Sequence, residues 1–145
     1  ARSDADYERA AKATMDATVR YMNAATAALD RDTGTSGAGL IMASVESGKA
    51  VIYCTSGLET AKEWVDTVDR TRPNVRIDAF KAVLTMAGVR EICVQAHIMY
   101  AGDQAGQAIL QIGSRAKYYS DALETLRKAI AMMPNYAATY KERAK

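Results

Sequence analysis

Apolar side chains recur at steps of three and four residues along almost the whole chain, and this spacing constrains the fold more than any other feature. Ala11, Met15, Val19, Met22, Ala25 and Leu29 draw one stripe. A stripe at that period is what a helix needs to bury one face. Ser3 followed by Asp6 makes a capping-box start for this first helix, which is expected to end near Asp32. "DTGTSGAG" then sets three glycines among small polar residues and reads as a loop.

Residues 40–54, "LIMASVESGKAVIYC", are ambiguous. Ile41, Val45 and Ile52 suit a helix, whereas "AVIYCT" is β-branched enough for a short strand. No second convincing strand exists to pair with it, so helix is the expectation. Ser56 and Glu59 form a second capping box and predict a new helix there, with Leu58, Ala61, Val65 and Val68 on one face. Pro73 ends it, because proline cannot continue the hydrogen-bond ladder and disfavours helix at Arg72. Asn74 is a plausible cap for the next helix, with an expected inner face of Ile77, Phe80, Leu84 and Ala87 and a left-handed stop at Gly88.

A further helix follows, carrying Gly102, Ala105, Gly106 and Ile109 along one side. Small residues at that spacing let a neighbouring backbone approach closely. Ser114 is read as the cap of the last long helix. Its stripe of Ala116, Tyr119, Leu123, Leu126, Ile130 and Met133 is the cleanest in the chain, and Pro134 closes it before a short basic tail helix. The expected architecture is all-α: one domain over residues 1–145, a bundle of about five helices packed antiparallel through short loops.

Composition narrows the function classes. Of the 145 residues, 49% are apolar and 25% charged, ordinary values for a soluble globular protein. The longest apolar runs, such as Ala129 to Met133, are far too short to span a bilayer. No secretory signal is legible, and the start at Ala1 rather than Met leaves the compartment open to an earlier removed targeting segment. Net charge is +2, too mild to argue for nucleic acid. Residues 1–72 are weakly acidic at −2 and residues 73–145 weakly basic at +4, which suits a partner of mixed charge.

Two stretches near the C-terminus resemble known families. Ala122, Leu126, Ala129 and Pro134, with Tyr140 beyond, are similar to one half of a tetratricopeptide unit. Ala61, Val65, Val68 and Pro73 echo the same spacing, but the step between the two differs from that family's period, and an array needs three or more repeats. The stretch therefore reads as a well-made helix with a repeat-like accent. "KYYSDALETLRKAI", through Lys117, Tyr118, Tyr119, Leu123 and Leu126, also resembles the last helix of the Q-type extrinsic subunit of photosystem II. That resemblance implies a processed four-helix bundle docked peripherally on a membrane complex.

Candidate chemistry is sparse. Cys93 and His97 are four apart and share a helix face, and Cys54 could add a third ligand. The pair alone gives two ligands where structural zinc needs four, so no metal is expected, and the cysteines read as buried thiols. A bridge between them requires an oxidising compartment. His97 as a haem ligand is a further reading. "SGK" at 47–49 lacks the glycine and the hydroxyl of a phosphate loop. "LTMAGVREICVQAHI" has the length and glycine turn of a helix-turn-helix, with Arg90, Glu91 and Gln95 available to a DNA groove.

The reading that emerges is a non-enzymatic structural or adaptor subunit with no cofactor, making contacts with protein partners or with itself inside a larger assembly. Tyr118, Tyr136, Tyr140 and Lys141 near the C-terminus are candidate contact residues, as are Gly102 and Gly106. Aromatic rings with polar tips beside cations suit such surfaces.

Overall fold

The computed structural model describes residues 2–31, 37–71 and 76–133. Among these the chain forms four α-helices: α1 (Asp4–Asp30), α2 (Ala38–Thr71), α3 (Arg76–Leu110) and α4 (Arg115–Met132), with a 3-10 turn at Ile112–Ser114. No described residue lies in a strand, and residues 40–54 are helical. None of these helices is long and apolar enough to cross a membrane. Pro73, Asn74 and the tail beyond Met133 lie outside the described residues.

Two helix boundaries expected from the sequence do not exist. α2 runs unbroken through Ser56, and α3 runs unbroken through Gly88. The described residues thus form four helices where the sequence leads one to expect about five. The helix-turn-helix disappears with the break at Gly88, because "LTMAGVREICVQAHI" is one continuous helix. The capping box at α1 is real: the Ser3 hydroxyl accepts from Asp6 N–H, and the Asp6 carboxylate accepts from Ser3 N–H. Ser114 does stand at the start of α4, but its side chain makes no capping bond.

Successive helices are antiparallel. Tyr7, Trp64, Val68 and Ala82 pack at one end, Ala50, Cys54, Cys93 and Ala96 in the middle, and Ala25, Ala28 and Ala43 at the other end. The Tyr7 hydroxyl donates to Glu63 at 2.8 Å and the Trp64 ring N–H to Asp4 at 3.0 Å, so both buried rings keep their polar tips satisfied. Among the described residues α1, α2 and α3 contact one another, while α4 lies along α3 and reaches the α2 side through Met132 at its end. At 1.5 Å per residue, α4 is about half the length of α3 and leaves its first turns uncovered.

The core is built of small residues. Among the described residues, thirteen of the nineteen buried apolar side chains are alanines, which lets the helix axes approach closely. Large side chains then lack room between helices and project from the flanks. The expected inner face of α3 is accordingly outward: Ile77, Phe80 and Leu84 are exposed, Phe80 by 68%. On α4 the buried row is Ala122, Thr125 and Ala129, while Tyr119, Leu123, Leu126, Ile130 and Met133 face outward. On α1, Ala11 and Ala25 are buried as the stripe requires, but Val19 and Leu29 are exposed.

Candidate functional site

Two features stand out on α3: a buried sulfur–imidazole cluster on the side facing α2, and an uncovered apolar seam with α4 on the opposite side.

The cluster grows from simple helix geometry. Cys93 and His97 are one turn apart and share the inner face of α3. Cys54 meets them from the middle of α2, and the two sulfurs form a disulfide with Cα atoms 5.2 Å apart. His97 Nδ1 lies 2.7 Å from the Cys93 carbonyl oxygen, 3.6 Å from Cys93 Sγ and 4.0 Å from Cys54 Sγ. All three residues are buried, with ligand-type atoms within 4.8 Å of one another. Burial holds the imidazole below its usual pKa. The bond to the Cys93 carbonyl opposes that shift, and the charge of Lys128 adds to it. Burial thus favours the neutral form of the ring beside the two sulfurs.

About two turns further on, polar side chains bind α3 to α2 and α4. The Ser47 hydroxyl of α2 donates to Asp103 Oδ2 at 2.7 Å, and the Thr125 hydroxyl of α4 donates to Gln104 Oε1 at 2.7 Å. Both pairs are buried. Burial raises the Asp103 pKa, and the Ser47 bond only partly offsets that. No spacing in the sequence joins these partners.

The apolar seam follows from the helical wheel. With 100° per residue, Tyr119, Leu123, Leu126 and Ile130 occupy one sector of α4, roughly 100° from the row that packs on α3. Met132, on the other flank, packs against the Cys54–Cys93 cluster. The exposed row therefore points away from α2. On α3, Ile98, Gly102 and Ile109 lie past the α4 contact on that same side. Together the two helices present a broad apolar face, with Leu123 54% and Ile130 65% exposed. Where α4 ends, Met132 and Met133 close a shallow groove with Ala87, Arg90 and Val94 of α3.

The contact residues expected from sequence are scattered. Tyr118 is half-buried at the start of α4, its hydroxyl near Gln111 Oε1. Gly106 faces α2, where an added Cβ would meet Leu40 Cδ2 at 2.9 Å. Gly102 is exposed with nothing near it, so the two glycines do not share one packed face. Tyr136, Tyr140 and Lys141 lie outside the described residues. Cys54, which the sequence offers only as a possible third ligand, joins the pair from 39 positions away. The chain matches no protein-family model, no curated protein and no solved structure.

Proposed function

We propose that this protein is a non-catalytic structural subunit that associates with a second copy of itself through the outer face of α3 and α4. The observation that carries the reading is the α4 row itself. Tyr119, Leu123, Leu126 and Ile130 are four large apolar side chains on one sector, all facing solvent while alanines face α3. Scattered exposed apolar residues are ordinary, but a contiguous apolar row on paired helices marks a contact surface.

A second copy fits this face better than a charged partner. The α4 row and the α3 row of Ile98, Gly102 and Ile109 hold no charged residue. A two-fold axis can set one chain's α4 row against its partner's α3 row in a self-complementary patch. Fully burying a large apolar side chain contributes about 1.5–3 kcal/mol, and these are already about half buried. Six of them on each of the two chains give roughly 9–18 kcal/mol, against an association cost of about 4–15 kcal/mol. The association is therefore reversible and concentration-dependent.

Sedimentation equilibrium of the full chain over micromolar to near-millimolar concentrations tests this. The expected result is a monomer–dimer transition that Leu123→Lys with Ile130→Lys abolishes, the helical circular dichroism being unchanged. A wild-type chain that stays monomeric throughout, or a double variant that dimerises as well as wild type, overturns the proposal.

A further inference from the structure

We propose that Cys54, Cys93 and His97 form a redox-gated site for copper(I): closed while the two sulfurs are bridged, and open to the metal once they are reduced.

Metal–sulfur and metal–nitrogen bonds of about 2.3 and 2.0 Å place the ligand atoms of a trigonal site about 3.7–4 Å apart. His97 Nδ1 already stands 3.6 Å from one sulfur and 4.0 Å from the other. Only the sulfur–sulfur separation must open, which side-chain rotation allows once the bond is gone. Three donors suffice for a soft monovalent ion, and thiolates select it. Zinc requires a fourth ligand, as a rule a water in a site with three protein donors, and this cluster is enclosed by packed helices. A soft thioether is also at hand, because Met132 packs against the same cluster. Met132 also lines the groove at the end of α4.

The chemistry balances with a small thiol as reductant. Two equivalents of it give two electrons and two protons to the Cys54–Cys93 bond, leaving two Cys thiols and one disulfide of the reductant. Copper(I) then displaces both thiol protons to solvent and binds two thiolates and Nδ1. The ring nitrogen gives up its bond to the Cys93 carbonyl, and the imidazole proton resides on Nε2. Two thiolates and one monovalent cation leave a net charge of −1, and Lys128, whose field reaches His97, offsets it.

Copper(I) titration against a chromophoric copper(I) chelator, with X-ray absorption spectroscopy of the loaded wild-type chain, decides the matter. Reduced protein should take up one copper per chain in a three-coordinate environment of two sulfurs and one nitrogen, and oxidised protein none. His97→Gln should weaken binding at least tenfold. The absorption measurement on wild type holds even if a variant fails to fold. Absence of uptake by reduced protein, a coordination shell without nitrogen, or retention of zinc(II) over equimolar copper(I) overturns the assignment.

Discussion

His97 and Asp103 are buried on the same helix, and burial shifts them in opposite directions. The Asp103 pKa is raised above its ordinary 3.8. Its contribution to stability is therefore present below 3.8 and lost as pH rises through the higher folded value. The charged carboxylate opposes folding, since one Ser47 hydroxyl compensates its burial only in part. Asp103→Asn keeps an acceptor for Ser47 and removes the charge. The variant should melt higher than wild type at pH 7–8 and lose that advantage near pH 4; an equal or lower melting temperature at pH 7–8 contradicts this. His97 runs the other way. Its folded pKa lies below the ordinary 6.5, so its contribution is complete above 6.5 and is lost as pH falls through the folded value. Wild-type stability should decline below pH 6.5, and His97→Gln should flatten that limb in a pH series of urea midpoints. The sequence makes Cys93 and His97 legible as a pair because they are one turn apart. Ser47 and Asp103 are 56 residues apart, and only the crossing of two helices brings them together.

At the scale of the element, glycines divide by what surrounds them. An added Cβ at Gly57 in α2 would run into the Thr14 side chain of α1, whereas at Gly88 in α3 it would meet nothing within 4 Å. Gly57→Ala should destabilise the fold by about 1–3 kcal/mol through overpacking. Gly88→Ala should stabilise it by about 0.5–1 kcal/mol, because alanine suits a helix interior better. Urea unfolding of both variants checks the signs. Gly106→Leu should behave like Gly57→Ala, its side chain meeting Leu40. The same contrast explains what the sequence hides. Helical period is legible everywhere, and the helical reading of residues 40–54 holds. Ser56 and Gly88 imitate a start and a stop, yet tertiary packing carries both helices through them. On α4 the apolar stripe is real but its direction is not encoded in its period. A broad apolar arc has two halves, and the alanine half takes the inner position because it lets α3 come close.

At the scale of the whole molecule, the Cys54–Cys93 bridge is the covalent tie across the α2–α3 pair. It ties positions 39 apart, and that constraint on the unfolded chain is worth about 4 kcal/mol in the chain-entropy description. That is a large share of the roughly 5–15 kcal/mol that holds a domain folded, and an alanine core with much of its large apolar surface turned outward has little to spare. Reduction should therefore lower the urea midpoint of the apo protein substantially. The slope of the transition adds a second reading. An uncrosslinked unfolded chain exposes more surface, so the slope should rise as the midpoint falls. Cys54→Ser with Cys93→Ser should reproduce the reduced wild type in both respects, since the serines break the same tie. If reduction leaves midpoint and slope unmoved while mass spectrometry shows both thiols free, the bridge does not constrain the unfolded chain, and the helix contacts alone carry the stability.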